Sequence, residues 1–320
     1  MVESRRLRTF VAVAELGSVS KAAVRLRIGQ PALSRQIGEL QQELGLRLFD
    51  HVGRGIVLTA EGEQLLSDCR RVLADLDAVH EHAEVLRGGN RGVLKVAAPP
   101  HTIESVLAKF LPGYAERFPN VDIQITEALG PAQTAMLERG EVHVGIRLYR
   151  ADPRFESRLL PPANALAVAA PSIDLGRTGV IDIRDLAAYP LLLLDPGYSV
   201  RILFDAACRL ADVRPNVLLE SRAPHTLLAL AEIGHGVAII PSLQRTDRYA
   251  VRIAHVTHGR KPVRERVAIQ WDRRRRLPVY AAAFCEALAE YMQPILPITH
   301  PTKAKDAGGK RQLATQGPPK

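Results

Sequence analysis

Cysteines and long apolar runs are scarce in this sequence, and each shortage excludes a class of protein. The 320 residues include three widely separated cysteines, Cys69, Cys208 and Cys285, without metal-ligand spacing. An odd number of scattered cysteines is typical of reduced thiols and excludes a disulfide framework. Apolar runs such as "YPLLLL" at 189–194 are far shorter than the roughly 20 residues of a membrane span. The N-terminus has no signal-peptide pattern, so we expect a cytoplasmic chain.

The length and charge indicate a globular protein of two or more domains with a basic front end. Hydrophobic residues make up 47% of the chain and charged residues 24%, as in a soluble protein. The net charge of +9 is uneven, since residues 1–58 hold nine basic residues against five acidic ones. Such a front end suits a polyanionic partner, although an ordinary solvated surface can reach the same charge.

The first sixty residues have the spacing of three short helices. The first helix is expected to end at Gly17, and the second to begin at Ser20 as its N-cap and to end at Gly29. Pro31 suits the first turn of the third helix. The apolar stripes of the first and third helices are Leu7, Phe10, Val11, Ala14, Leu33, Ile37, Leu40 and Leu44. Helices joined in this way predict a helix-turn-helix.

Polar residues of the third helix indicate DNA binding. Its outward N-terminal face carries side chains that can pair with base edges or phosphates, as a recognition helix does in the major groove. The following segment, "LFDHVGRGIVLT", predicts a two-stranded wing with Arg54 at its tip. The residues predicted to contact DNA are Ser20, Lys21, Gln30, Pro31, Ser34, Arg35 and Arg54. From the pattern alone, a purely structural subdomain stays open as the alternative.

Residues 8–66 carry a nearly continuous motif, "RTFVAVAELGSVSKAAVRLRIGQPALSRQIGELQQELGLRLFDHVGRGIVLTAEGEQLL". Its Ala-Ala pair, Gln-Pro-Ala-Leu-Ser-Arg-Gln, Leu-Phe, Gly-Arg and Leu-Thr-Xaa-Xaa-Gly resemble the winged helix-turn-helix of LysR-type transcriptional regulators. The sequence departs from the family at Gly29, where Ser or Thr is usual, and at His51, where Arg is frequent. Glycine is an acceptable N-cap, so we expect the third helix to form with weaker capping. The change at His51 removes one expected contact with the DNA backbone.

A long helix is expected from its N-cap Thr59 to Gly88 and Gly89. Apolar residues in unbroken 4-3 spacing predict a coiled-coil seam of about three heptads and therefore a partner helix, with packing onto the same chain as the alternative. The predicted dimer interface is Leu65, Cys69, Val72, Leu76, Val79, Ala83 and Leu86. His80 and His82 point about 200° apart on a helix, so we interpret them as solvated residues and not as metal ligands.

From Gly92 the sequence alternates between strands and helices. The segments "VLKVAA", "TIESVLAKFLPGYAERFP", "VDIQITEA", "PAQTAMLERG" and "VHVGIRL" predict a βαβαβ unit with a parallel sheet. A second series runs from "NALAVAA" to "VAIIP", and "RVAIQW" with "PVYAAAFCEALAEYM" is expected to pack on the first series. We interpret "RRRR" at 273–276 as a mostly solvated turn that could also touch DNA or a neighbouring subunit.

This arrangement is similar to the LysR-family co-inducer domain, and the resemblance covers about residues 4–293. It implies an all-α winged helix-turn-helix and a linker helix, followed by two α/β lobes joined by crossing strands like a type 2 periplasmic binding protein. The expected domains are a DNA-binding domain at 1–58, a linker at 59–89, an effector-binding domain at 90–300 and a disordered tail at 301–320. Lobe one is expected at about 90–161 and 267–297, and lobe two at about 162–266.

The tripeptide Pro-His-Thr occurs once in each expected lobe, and each copy follows a strand and starts a helix. Ligands of open α/β sheets bind beside such helix starts, where Thr102 and Thr226 can cap the helices and leave two positive ends at the cleft. In the resembled family these loops hold the co-inducer, so we predict a small anionic effector such as a carboxylate. The predicted lining is Pro100, His101, Thr102, Gly130, Arg147, Tyr198, Ser199, Pro224, His225 and Thr226.

The resemblance implies a transcriptional regulator without a cofactor, whose partners are promoter DNA, a small-molecule effector, further copies in a homodimer or homotetramer, and possible RNA polymerase. The alternative is an α/β enzyme or solute-binding protein that carries an accessory DNA-binding head. A zinc site at the two histidines lacks an acidic or cysteine ligand nearby. Ser199 and Ser221 lie in no nucleophile pattern, so we expect neither an enzyme nor a membrane protein. The alternative role of each tripeptide histidine is that of an incidental helix-start residue.

Overall fold

Three short helices and a hairpin form the N-terminal domain of the computed structural model, which describes residues 2–52, 55–86, 91–176 and 178–293. Phe10, Leu33 and Leu40 lie at the centre of this domain and are fully buried. Gly17 ends the first helix in the left-handed conformation. The elements are α1 (Ser4–Leu16), α2 (Val19–Leu26), α3 (Gln30–Leu44), β1 (Phe49–Val52) and β2 (Gly55–Leu58).

The start of α2 differs from the prediction. The Ser18 side chain, and not that of Ser20, caps the helix by accepting a hydrogen bond from the backbone N–H of Lys21 at 3.3 Å. An N-cap has extended backbone, which Ser18 has, whereas Ser20 already lies inside the helix. The helix also ends earlier than predicted, at Arg27 in the left-handed conformation, so Gly29 serves only as the N-cap of α3.

A 27-residue helix, α4 (Ala60–Leu86), follows the wing. As predicted, Thr59 caps it, accepting a hydrogen bond from the Gly62 N–H at 3.0 Å. A Cβ on Gly62 would lie 2.3 Å from the Leu48 carbonyl oxygen, so only glycine lets α4 approach the wing this closely. This close approach explains the glycine of the Leu-Thr-Xaa-Xaa-Gly motif.

The apolar stripe of α4 is divided between two surfaces. Cys69 is only 3% exposed and packs in the core of the N-terminal domain, so its predicted place in a seam with a partner helix is wrong. Leu65 and Leu76 pack partly against the same core, because α4 crosses α1. Val72, Val79 and Ala83 are exposed, whereas the side chain of Leu86 lies outside the described residues.

The rest of the described chain contains two sheets with helices packed against them. Its strands are β3 (Gly92–Ala98), β4 (Val121–Glu127), β5 (Val144–Leu148), β6 (Phe155–Leu159), β7 (Ala163–Ala169), β8 (Val180–Asp182), β9 (Leu191–Leu194), β10 (Val217–Ser221), β11 (Val237–Pro241), β12 (Arg252–His258), β13 (Lys261–Pro262), β14 (Arg264–Glu265) and β15 (Val267–Asp272). Its helices are α5 (Pro100–Thr102), a π-helical turn (Ile103–Leu107), α6 (Ala108–Arg117), α7 (Gly130–Arg139), α8 (Ile183–Leu186), α9 (Ser199–Ala211), α10 (Pro224–Glu232) and α11 (Val279–Met292).

The first sheet and its helices form lobe one. Its strand order is β4-β3-β5-β15-β6, and β3 is parallel to both β4 and β5, as the βαβαβ pattern predicts. The late strand β15 returns to this sheet and pairs antiparallel with β5 and β6. Helix α11 packs its apolar face into the same core through Tyr280, Phe284 and Leu288.

The second sheet forms lobe two, in the order β10-β9-β11-β7-β12-β13. The chain crosses between the lobes twice, through β7 and through the β14–β15 connection, and β14 pairs antiparallel with β7 at Asn164 and Ala163. The backbone therefore joins the two lobes through two neighbouring strands, which form a hinge. None of the described helices is both long enough and apolar enough to span a membrane.

Candidate functional site

An exposed polar surface on α2 and α3 is the first candidate site. Gln30, Pro31, Ser34 and Arg35 are all exposed at the start of α3, while Leu33 between them is buried. The same surface continues onto α2 through the exposed Ser20 and Lys21. The Ser20 hydroxyl donates a hydrogen bond to Gln30 Oε1 at 3.2 Å and links the two helices.

Two cations on this surface are available to a ligand. The side chains of Lys21 and Arg35 form no hydrogen bond or ion pair within the described parts of the chain. The end of α3 is held against the wing, since Gln41 Oε1 accepts a hydrogen bond from the Leu48 N–H at 2.7 Å. Arg54, the predicted wing contact, lies outside the described residues. A helix that presents exposed Gln, Ser and Arg side chains has the chemistry of a DNA-recognition helix.

A cavity of about 360 Å³ between the two lobes is the second candidate site. Five of the residues predicted to hold an effector line it: His101, Gly130, Arg147, Tyr198 and Ser199. They come from both lobes, because lobe one supplies the first three and the start of α9 supplies the other two. A cavity of this size is in the usual range for small-molecule sites.

Arg147 is a cationic residue of the cavity whose side chain is fixed by hydrogen bonds. Its Nε donates to Gln270 Oε1 at 2.7 Å, its Nη1 donates to the Thr134 hydroxyl, and its guanidinium lies 4.9 Å from the centre of the Phe155 ring. Burial lowers the pKa of Arg147 while nearby Asp152 opposes the shift, and an arginine still keeps its charge. The guanidinium is thus fixed in place before any ligand arrives.

The other charged groups of the lining make the lobe-one side of the cavity positive. Arg150 and Arg154 also line the cavity, together with a single carboxylate, Asp152. Asp152 is paired with Arg154 Nη2 at 2.6 Å, and this hydrogen bonding lowers the pKa of Asp152 to about 2. Arg154 also pairs with Glu138, so the excess positive charge on this side of the cavity comes from Arg147 and Arg150.

His101 contributes a neutral imidazole. It is 6% exposed, and burial lowers its pKa to about 4, so the ring is uncharged near neutral pH. Its Nδ1 has no hydrogen-bond partner within the described residues. The ring lies 6.3 Å from that of Tyr198, whose hydroxyl donates to the Arg222 carbonyl at 2.8 Å.

The second Pro-His-Thr copy is not part of the cavity, which corrects the prediction for Pro224, His225 and Thr226. His225 Nε2 instead lies 2.9 Å from Glu104 Oε2 of lobe one, and Nδ1 lies 3.1 Å from the Tyr249 hydroxyl. The reason is strand order. The copy follows β10, the edge strand of its sheet, whereas α9 follows the inner strand β9 and starts at the cleft.

The predicted capping role of both threonines is also wrong. Thr102 and Thr226 are the third residues of their helices, and the N-caps are Pro99 and Ala223 without a side-chain hydrogen bond. Pro99 lines the cavity, whereas neither Pro100 nor the buried Thr102 does. Only one positive helix end of the two tripeptides therefore faces the cleft.

Several residues that line the cavity were not predicted from the sequence. They are Pro99, Leu129, Pro131, Gln133, Thr134, Leu148, Arg150, Asp152, Arg154, Gly197 and Ile202. Thr134 and Gln133 lie one turn beyond Gly130 on α7, so the helical period from that predicted residue could have found them. The described residues contain no group of three His, Cys, Asp or Glu side chains that could hold a metal ion.

Comparison with known protein families matches both parts of the chain. Residues 4–63 match the family model for bacterial regulatory helix-turn-helix proteins of the lysR family, and residues 87–293 match the LysR substrate binding domain. Among similar proteins, the HTH-type transcriptional regulator IlvR of Caulobacter vibrioides is 34% identical over 263 residues, covering 78% of this chain and 86% of that protein. XapR of Escherichia coli is 30% identical over 246 residues, covering 76% and 82%.

Solved structures share the fold of nearly the whole chain. A full-length OxyR variant from Pseudomonas aeruginosa has a TM-score of 0.72 at 22% identity, covering 91% of this chain and 95% of that chain. Full-length CbnR complexed with its target DNA has a TM-score of 0.65 at 24% identity, covering 91% and 100%.

Proposed function

As a member of the LysR family, this chain is a DNA-binding transcriptional regulator with an effector-binding domain, and we propose that it contacts promoter DNA through the exposed surface of α2 and α3. The single observation that carries this assignment is that Gln30, Ser34 and Arg35 are exposed together at the start of α3. Gln and Arg can pair with adenine and guanine edges, and Lys21 can pair with a phosphate. Arg54 of the wing is proposed as a further backbone contact.

DNA binding can be tested with the DNA upstream of the protein's own gene. Replacing Arg35 with Ala should weaken binding of the preferred sequence by about 1–3 kcal/mol and reduce discrimination against altered sequences. Replacing Lys21 with Ala should weaken binding to all DNA sequences alike. It should also reduce the slope of log affinity against log salt concentration by about one. Fluorescence anisotropy over a salt series measures both effects. A uniform loss for Arg35→Ala would make Arg35 a phosphate contact instead.

We propose that the cavity between the lobes binds a small organic anion. The support is Arg147, which is held by Gln270 and Thr134 and is accompanied by Arg150 and Arg154. His101, Gly130, Tyr198 and Ser199 complete the proposed contacts. Effector binding shifts the populations of lobe and subunit arrangements, and thereby changes DNA bending or contact with RNA polymerase.

The proposed effector site can be tested by a thermal-shift screen of small carboxylates. The Arg147→Gln variant should lose stabilisation by every carboxylate hit, because the neutral amide removes the cation but keeps a similar shape. Arg209→Gln is the matched control, since Arg209 is exposed on α9 and lies outside the cavity. Hits that stabilise Arg147→Gln as strongly as the unmodified protein would disprove the proposed anion site.

The proposal extends to the assembly and its place of action. We propose a homodimer through the exposed face of α4, with the homotetramer as its further assembly, so that two α3 helices reach two half-sites of an inverted repeat. Promoter DNA lies in the bacterial cytoplasm, which is therefore the proposed location. Regulation by binding requires no catalytic step, and the proposal includes none. The domain limits proposed from the sequence are retained for the described residues, whereas the predicted linker end at Gly88 and Gly89 and the predicted tail at 301–320 lie outside them.

A further inference from the structure

A buried carboxyl group lies at the hinge, next to the cavity. Glu265 belongs to β14, the short strand that pairs with β7 where the chain crosses between the lobes. It is 7% exposed, and its Oε1 accepts a hydrogen bond from the Ser199 hydroxyl at 2.9 Å. Its second oxygen, Oε2, has no hydrogen-bond partner within the described residues. A buried carboxylate with so little compensation is unfavourable unless something nearby supplies positive charge or a proton.

Ser199 connects this carboxyl group to the cavity. It lines the cavity from lobe two, as the first residue of α9. A hydroxyl has one proton, and the bond to Glu265 uses it, so only the lone pairs of the Ser199 oxygen remain for a ligand. Ser199 is thus a hydrogen-bond acceptor on the cavity surface.

Glu265 also changes what the start of α9 can bind. The N-terminus of a helix carries partial positive charge and attracts anions. Once ionised, Glu265 places a negative charge beside this helix start, which offsets that attraction. Arg147, in contrast, lies on lobe one with Arg150 and Arg154 in the same lining. The cavity is therefore asymmetric, with a positive side on lobe one and an acceptor side on lobe two.

We propose that the effector is a small carboxylate that also carries a hydrogen-bond donor, an amino or hydroxyl group, with the carboxylate at Arg147 and the donor at Ser199 backed by Glu265. This inference rests on the proposed effector site and names the class of molecule that it takes. Leu129, Pro131 and Ile202 line the cavity as well, so the part of the ligand between its two polar ends is apolar. Such a ligand contacts both lobes at once and favours their closed arrangement.

The experiment compares carboxylates that differ only in the donor. The probes are butanoate and hexanoate, their hydroxy derivatives and their amino derivatives, with the substituent at each position of the chain. Isothermal titration at pH 8 measures the affinity of each for the full-length protein. At this pH Glu265 is ionised, since burial raises its pKa to about 7. At least one derivative should bind about 10-fold or more tightly than its parent, because the parent leaves the Ser199 acceptor unpaired.

Two variants locate the source of this preference. Ser199→Ala should reduce the preference to less than about 3-fold, and Glu265→Gln should weaken amino derivatives more than hydroxy derivatives, because it removes a negative charge. Ser172→Ala and Glu116→Gln, both at exposed positions away from the cavity, are the matched controls. Thermal melting of each variant checks that it is folded, so that a lost preference is not mistaken for lost structure.

The outcomes separate this inference from the proposed function. If Arg147→Gln abolishes binding of all probes but Ser199→Ala keeps the preference, the anion site stands and the donor site is wrong. If parents and derivatives bind the unmodified protein equally well, the donor site is also wrong. If Arg147→Gln binds the probes normally, or if no probe binds at concentrations up to about 10 mM, the proposed carboxylate site fails and this inference fails with it.

Discussion

At the scale of single residues, Glu265 shows how a site can be built at a cost to stability. Burial raises the pKa of its carboxyl group from 4.5 to about 7, and the hydrogen bond from Ser199 offsets only part of this shift. In the folded chain the Glu265 carboxyl group therefore stays protonated at pH values where it is already ionised in the unfolded chain. By linkage, stability falls as the pH rises from about 4.5 to about 7, and the loss is complete above pH 7.

Replacing Glu265 with Gln should remove this loss, because the amide keeps the shape and has no charge to bury. The pKa shift of Glu265 corresponds to a loss of about 3 kcal/mol in the free energy of unfolding. The quantity to compare is the free energy of unfolding of Glu265→Gln minus that of the unmodified protein. This difference should be larger at pH 8 than at pH 5 by up to about that amount. Urea unfolding followed by the fluorescence of Trp271, the single tryptophan, measures both differences. A difference that is the same at the two pH values would show that Glu265 titrates normally in the folded chain.

At the scale of elements, α7 connects the effector cavity to the linker helix. Its first two turns line the cavity through Gly130 and Thr134. At its other end, Arg275 Nη1 donates to the Leu137 carbonyl at 3.2 Å and Nε donates to Asp75 Oδ1 of α4 at 3.0 Å. A Cβ on Gly140 would lie 2.5 Å from the Ala74 side chain, so the end of α7 sits directly on α4. Ten residues of helix span roughly 15 Å between the two sites.

Arg275→Ala should weaken the coupling between effector and DNA while leaving each separate binding step intact. Because Arg275 bonds to both α7 and α4, it would transmit a displacement of α7 to α4, and its loss should reduce the coupling free energy by about 0.5–2 kcal/mol. The measurement is the affinity for promoter DNA with and without a carboxylate hit. Arg273→Ala is the control, because Arg273 lies in the same turn but pairs with Glu156 inside lobe one. Equal coupling in both variants and the unmodified protein would rule out this route.

Helices and strands with strong local patterns could be predicted from the sequence, whereas the elements that pack against them could not. The apolar spacing predicts helices at α1 and α3 and a βαβαβ series after Gly92, and the structure has these elements. The strands β6 and β12 were missed, because "FESRL" and "RIAHVTH" mix charged and apolar residues as edge and mixed-sheet strands do. Both helix starts marked by Pro-His-Thr exist, but only strand order decides which of them reaches the cleft, and strand order is set by contacts distant in sequence. Arg275 was missed in the same way, as part of a turn interpreted as solvated.

At the scale of the whole molecule, the remaining exposed stripe on α4 supports the proposed homodimer. Val72 and Val79 are 44% and 66% exposed, seven residues apart, and Ala83 continues the same face. Leu65 and Leu76 pack partly in their own domain, so α4 uses one side for its own chain and leaves the other side free. A seven-residue repeat of apolar positions is the spacing at which two helices pair along a seam.

Val79→Glu tests this pairing. In a symmetric pair the substitution occurs in both copies, so two carboxylates would be removed from water at the seam without a partner cation. Dimer affinity should therefore fall by about 10-fold or more, and light scattering over a concentration series measures it. Binding to DNA with two half-sites should weaken, while binding to one half-site should not change, because each N-terminal domain keeps its own core. Ile233→Glu is the control, since Ile233 is 76% exposed at the end of α10. A Val79→Glu protein that stays dimeric would place the interface elsewhere, and the two half-sites would then be bridged by another surface.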